Sequence, residues 1–345
     1  MMKKKSNIVM AMAVALFSFA FALSSCDYSE DELEPSGELT SYQLPQGNHD
    51  YDQRIVDFYK KYGVCLLYQF TDKDAYWTPS GWKMYQFNAE APSSSSVGLS
   101  MTCADPNYVG QQIDLLEEVW FSRFNDKMLK ELLPLKILLC DHVDSCYVKI
   151  QWDFSTIPVS QIPTEYKDPV PGWYNYDNIC VGYGNSGILT MSDKEKKRLT
   201  DRILHLWPEY IAAYAAKPTE EFENSVPYGN FSAYKSYIKD CCELGILDGT
   251  STATATSDWR KFIIMMLNYP ESLLNDENAT VGQYDSWSNP AYGASSIHEA
   301  KDFRGILTSV KDVNGLVKKR YQMVREFFIA NYGFDLQSVG NTFSY

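Results

Sequence analysis

Two dense apolar runs, Val64 to Phe70 and Leu135 to Cys140, lie in the first half of this chain, and the second half turns to helical spacing. Short apolar runs bounded by turn residues read as buried strands, because a strand covered on both faces needs no polar alternation. From Ser192 onward the apolar residues recur at helical intervals: Ser192 to about Ala216, Tyr234 to Leu244, Asp258 to Asn268 and Val313 to Tyr332. Strands early and helices late, without regular β-α alternation, predict an α+β domain rather than a doubly wound sheet. The expected architecture is a small mixed sheet with a helical C-terminal half, and no internal repeat is visible.

Local signals fix several elements. Asp52 to Tyr62 puts Ile55, Val56, Phe58 and Tyr59 on one helical face, and Gly63 is a natural stop. Asp72 to Ser100, with Trp77, Pro79, Gly81, Trp82 and a serine run, reads as mostly loop. Gln111 to Leu133 has helical spacing over several turns and is broken by Pro134. After the Leu135–Cys140 strand, Asp141-His142-Val143-Asp144 opens polar segments rich in Pro, Gly and Tyr that run to Tyr176, and Asn178 to Leu189 reads as strand and turn. Ser192-Asp193-Lys194-Glu195 is a capping box. Pro208 lies inside the helix it opens, where a proline costs about 3 kcal/mol, so a kink or a new helix is expected there.

The N-terminus carries an address. Lys3-Lys4-Lys5 precedes an apolar run from Ile8 to Leu23, which reads as a secretory signal peptide. The run is about 16 residues, short of the roughly 20 that span a bilayer, which disfavours a transmembrane anchor. Leu23-Ser24-Ser25-Cys26 resembles a bacterial lipobox, which implies that Cys26 is acylated and begins the mature chain. Residues 1–25 are then the signal, 26–47 an acidic tether and 48–345 a single domain. Asp27, Glu30, Asp31, Glu32 and Glu34 crowd the tether, and low hydrophobicity with high charge does not order itself. That acidic run also resembles the surface-export signal of outer-membrane lipoproteins in Gram-negative, polysaccharide-degrading bacteria. An outer-membrane, cell-surface location follows from it as an expectation.

The net charge is −13, and removing the signal with its three lysines and no acid makes the remainder more negative still. Such a body repels phosphate backbones, so nucleic acid is excluded as a partner. Seven cysteines follow Cys26, and outside the cytoplasm disulfides are permitted. Cys65 and Cys140 sit in apolar runs and read as buried thiols, whereas a Cys140–Cys146 bridge across a turn stays open. There is no C-x-x-C spacing, and hence no sign of a cysteine zinc site.

Several blocks occur in a telling order: Tyr51-Asp52-Gln53-Arg54-Ile55 into Lys61-Tyr62-Gly63, then Tyr68-Gln69-Phe70, Leu115–Phe124, Leu132-Leu133-Pro134-Leu135-Lys136-Ile137-Leu138-Leu139, and a closing Arg325–Asp335. Over most of residues 50–340 this layout resembles the zinc-binding metallopeptidase-like outer-membrane lipoproteins, whose fold is zincin-like and which are found alongside glycan-uptake proteins. The resemblance implies an H-E-x-x-H helix after a glycine turn, in which two His hold zinc and the Glu activates its bound water. Here the matching stretch is Pro208-Glu209-Tyr210-Ile211-Ala212. Glu209 matches the catalytic Glu, but Pro208 and Ala212 stand where the two His belong, and neither binds metal. No H-x-x-x-H exists among His49, His142, His205 and His298. The family's zinc is therefore expected to be lost, with no metal site and no other cofactor in its place.

No G-x-S-x-G, P-loop or dinucleotide fingerprint is present. His142, flanked by Asp141 and Asp144, is the best-placed histidine, although a turn satisfied by its own polar side chains is the preferred explanation. Aromatic clusters in polar contexts carry a binding case: Tyr76-Trp77-Thr78-Pro79 with Trp82, Trp173-Tyr174-Asn175-Tyr176, and Tyr284 to Tyr292 around Trp287. Such rings either stack on sugars or extended peptides or cover the edge of the core. The sequence thus predicts a surface lipoprotein with a catalytically inactive zincin-like body, binding glycan or peptide through Trp77, Trp82, Trp173, Tyr284, Trp287 and Tyr292, or serving a nutrient-uptake complex. An active metallopeptidase with unconventional ligands and a purely structural subunit are the rival expectations.

Overall fold

The structure is a computed structural model and describes residues 42–88, 97–228, 242–248, 253–279 and 300–345. Leu44 to Tyr345 form one compact unit. Cys26, Cys241, Tyr284, Trp287, Tyr292, His298 and most of the expected Tyr234–Leu244 helix lie outside the described residues.

The first elements are α1 (Asp52–Tyr62), β1 (Cys65–Leu67), α2 (Asp72–Tyr76), β2 (Trp77–Thr78), β3 (Gly81–Trp82) and β4 (Val97–Cys103). Gly63 ends α1 as expected: at φ +74° its N–H donates to the Tyr59 carbonyl at 2.7 Å, the left-handed stop that glycine adopts at no steric cost. The expected single helix over Gln111–Leu133 is instead two, α3 (Val109–Val119) and α4 (Asp126–Leu132), joined by a 3-10 turn at Phe121–Arg123. Asn125 causes the restart, because its side chain accepts the Met128 N–H at 2.9 Å. The break also turns Phe124 onto the Trp207 indole, ring centres 4.6 Å apart.

The chain continues with β5 (Lys136–Asp153), β6 (Ser160–Val170), β7 (Gly172–Asn175) and β8 (Asn178–Val181). The sheet is mixed and runs β1-β5-β8-β7, with β1 and β8 parallel to the start of β5. Further along, β5 changes partners and pairs antiparallel with β4 and β6. Lys136 to Cys140 is wholly buried, as its apolar run predicts. The polar continuation, to which the sequence assigns no element, is the second half of β5 and all of β6. β6 is exposed on both faces, whereas β5 buries Val143, Cys146 and Val148 and alternates apolar and polar residues from Cys146 to Trp152. Cys140 and Cys146 lie on this one strand, about 20 Å apart along it, which rules out a bridge between them. Both are buried free thiols, as is Cys180, whereas Cys103 is free and exposed; Cys65 and Cys242 are buried.

The helical half comprises α5 (Asp193–Tyr210), a π-helical turn at Ile211–Ala215, α6 (Glu220–Glu223), α7 (Ala255–Asn268), α8 (Glu271–Leu274), α9 (Ala300–Phe303), α10 (Leu316–Tyr332) and α11 (Gln337–Gly340). The capping box holds as read: Ser192 Oγ accepts the Glu195 N–H, and the Glu195 carboxylate accepts the Ser192 N–H at 2.8 Å. Pro208 does not end its helix, and α5 runs through it to Tyr210. A buried ion pair ties the later helices together. The Arg320 guanidinium bonds the Asp258 carboxylate and lies 3.7 Å from the centre of the Phe222 ring, and Asp258 also accepts the Leu247 and Asp248 N–H groups at 2.7 and 2.9 Å. Mixed sheet and helices together make this an α+β fold. No helix among the described residues is long and apolar enough to cross a membrane.

Candidate functional site

Three segments far apart in sequence meet beside the C-terminal end of α5. The β7–β8 hairpin carries two buried asparagines that grip the α2 segment from below. Asn175 Nδ2 donates to the Ala75 carbonyl at 2.8 Å, and Asn178 Nδ2 to that of Asp74 at 2.8 Å. These bonds lock the small β2–β3 hairpin against β7, with Trp77 directly opposite Trp82 in its register. The π-helical turn forms the other wall. Its signature bond runs from the Ala216 N–H to the Ile211 carbonyl at 2.7 Å, and such insertions recur at functional sites because they redirect side chains.

Between these walls lies a groove of about 350 Å³, lined by Thr78, Pro79, Ser80, Lys83, Tyr174, Asn175, Tyr176 and Tyr214. Its rings form a chain. Trp77 meets Tyr176 edge-on at 5.8 Å, Tyr176 meets Tyr214 at 5.5 Å, and Tyr210 follows at 5.7 Å from Tyr214. Tyr174 closes the series at 6.5 Å from Tyr210. Edge-on contacts leave ring faces open, and Tyr176 and Tyr214 keep 37% and 48% of their surface exposed. Burial, and then a hydrogen bond with Tyr214, pushes the Tyr174 phenol well above its usual range, so it stays protonated and available as a donor.

The aromatic residues expected from sequence divide here. Trp77 and Trp82 are exposed; Trp77 touches the groove through Tyr176, whereas Trp82 is not among the residues that line it. Trp173 does not line it: neighbouring strand residues face opposite ways, and its indole lies 5.1 Å from the Arg202 guanidinium. The sequence assigns Tyr210 and Tyr214 no binding role, because they fall within the helical stretch from Ser192 to about Ala216.

Glu209 and its neighbours lie at the back of this wall. Glu209 is half-buried and ion-paired with Arg260 of α7. Pro208 and Ala212, at the places where the resemblance puts metal ligands, are buried in the core. These residues do not fit a zinc ion, since neither side chain carries a donor atom, and no hydrolytic step is derived through one. The described histidines each bond locally. His49 Nδ1 lies 3.1 Å from the Asp52 carboxylate, and His205 Nδ1 2.6 Å from the Asp201 carbonyl. His142 Nδ1 is 3.2 Å from the Thr102 hydroxyl, and the residue lies within β5 rather than in a turn. Among the described residues no three His, Cys, Asp or Glu side chains converge on a metal position.

No family model matches the chain, and no curated protein matches it. Among solved structures it is similar to one described as a "putative zinc-binding metallo-peptidase" from Bacteroides caccae, with a TM-score of 0.42 and 9% identity over 85% of this chain and 91% of that one. The relationship is a distant one of overall structure.

Proposed function

We propose that the protein is a lipid-anchored outer-membrane surface protein whose zincin-like body has lost its zinc ligands and holds a glycan, as an accessory to nutrient uptake. One observation carries the binding role: the groove lined by Tyr174, Tyr176 and Tyr214, whose rings join a chain that runs on to Trp77 and Tyr210. Ring faces stack on the apolar faces of pyranose rings, while Asn175, Ser80, Lys83 and the phenols supply hydrogen bonds for hydroxyl groups. The order of sequence blocks supports the zincin-like body. Pro208 and Ala212 at the ligand places, with Glu209 engaged by Arg260, support a non-enzymatic role. The lipobox at Cys26 and the acidic run behind it support the address.

Affinity electrophoresis through gels loaded with soluble polysaccharides tests the groove. At least one polysaccharide is expected to retard the wild type, and Tyr214→Ala or Tyr176→Ala to weaken that retention by about 1–3 kcal/mol, the range of a well-formed stacking contact. Both side chains are substantially exposed, so the melting temperature should hardly move. The same preparation should carry less than about one-tenth equivalent of zinc, against the single tightly held ion of a zincin site. Retention that is unchanged in both variants would remove the groove as the binding site. Binding to extended peptides alone would replace the glycan, and stoichiometric zinc surviving dialysis would restore the peptidase.

A further inference from the structure

The ribbon formed by β5 and β6 ends in an apolar tip with no core to serve. Among the described residues, β4 does not pair beyond Tyr147, and β5 is bonded there to β6 alone. At the tip Phe154 is 78% exposed and Ile157 is 99% exposed, with Trp152, Val159 and Ile162 exposed beside them. In the register Trp152 pairs with Gln161 and Gln151 with Ile162, so Trp152 and Ile162 project from opposite faces. An ordinary surface hairpin hides its apolar side chains on one face. This one shows them all round.

The polar side chains of the turn bond within it. Asp153 Oδ1 accepts the Ser155 N–H at 2.8 Å and its hydroxyl at 2.5 Å. The Thr156 hydroxyl lies 3.2 Å from the Asp153 carbonyl and 2.9 Å from the Ser160 hydroxyl, and accepts the Ser160 N–H at 3.0 Å. Between Ile150 and Pro163 the only charged residue is Asp153. One step back, Lys149 lies 4.5 Å from the centre of the Tyr166 ring, which is stacked on Tyr147. Lys149 and Lys167 fall on opposite faces of the ribbon.

We infer that this tip is a membrane-contacting wedge that seats in the headgroup layer of a lipid bilayer. Apolar exposure on every side suits immersion, whereas a protein partner or a second copy covers one face. The lysines behind the tip complement headgroup phosphates, and Tyr147 and Tyr166 sit at the level that aromatic belts occupy. Asp153 sets the depth: the Ser155 hydrogen bonds hold its carboxyl below the usual carboxylate range, so it stays ionised and stops the tip short of the hydrocarbon. The proposal rests on the lipoprotein reading for its cellular setting only. Seventeen residues lie between Cys26 and Leu44, a reach of at most about 65 Å, so a Cys26 anchor holds the body within range of the bilayer.

The test is flotation of residues 27–345, which lack the acylated cysteine, with vesicles of phosphatidylcholine and phosphatidylethanolamine. Wild type is expected to float, and the double variant Phe154→Asp/Ile157→Asp to partition at least tenfold more weakly at an unchanged melting temperature. Failure of the wild type to float, or equal flotation of both, overturns the assignment. Self-association of the wild type in sedimentation, lost in the variant and without flotation, assigns the tip to a second copy instead and equally overturns it. Because no Cys26 is present, a negative result cannot be mistaken for failure of lipidation.

Discussion

His205 shows how one side chain can be read wrongly from its neighbours in sequence. It lies four residues before Glu209, where a metal helix would invite a ligand assignment, yet its Nδ1 faces the Asp201 carbonyl of its own helix at 2.6 Å. A carbonyl only accepts, so the proton sits on Nδ1. Burial pushes the imidazole pKa below its usual value of 6.5. The unfolded chain therefore binds a proton that the folded one refuses, and stability falls as the pH drops through 6.5 towards the lower folded pKa. Thermal unfolding at pH 7.5 and 5.5 should show a larger loss for wild type than for His205→Gln, and equal losses would contradict a buried neutral imidazole. Among the site residues, Trp77 and Trp82 were legible because Pro and Gly around them mark a turn. Tyr214 was not, because helical periodicity carries no sign of a π turn. Nor could any local pattern show that Glu209 meets Arg260, a partner 51 residues away.

At the scale of elements, α5 explains how a proline survives mid-helix. Without an N–H, Pro208 cannot bond the Leu204 carbonyl one turn back, and that carbonyl is buried. Asn268, at the end of α7, supplies the missing donor: its Nδ2 reaches the Leu204 oxygen at 3.3 Å and the Ile264 oxygen at 2.9 Å. Asn268→Ala should then cost about 1–3 kcal/mol by orphaning a core carbonyl. In a Pro208→Ala background the restored N–H should take over, cutting that cost by about 1 kcal/mol. Additive losses in denaturant titrations of the four variants would show that Asn268 does not compensate for the proline. Elements with an explicit local stop or start, such as α1 at Gly63 and α5 at Ser192, were readable nearly to the residue. The ribbon was not, because β6 carries Pro163 and Pro169 and is exposed on both faces, so it lacks the alternation that sequence reading relies on.

For the whole molecule, the division into early strands and late helices was legible because buried strands and amphipathic helices leave different periods. The sheet order was not, since one strand serves two sets of neighbours. The address belongs to this scale as well. Cys26→Ala should release the protein from the membrane fraction if the lipobox is processed, and undiminished anchoring of that variant would sink the lipid tether. In such cells the wedge would have to hold the body by itself, and its weak grip should be lost on washing.

One feature of the sheet also has a mechanical meaning. β5 is a single strand about 60 Å long, fixed at one end by parallel pairing to β1 and β8 and carrying the apolar tip at the other. A pull on the tip therefore travels along one covalent backbone into the centre of the fold. There it meets the flanking ladders in shear, where the hydrogen bonds of Lys136 to Leu139 must yield together, whereas tension across the strands would peel them one at a time. A protein held by that tip would therefore not be unravelled by it.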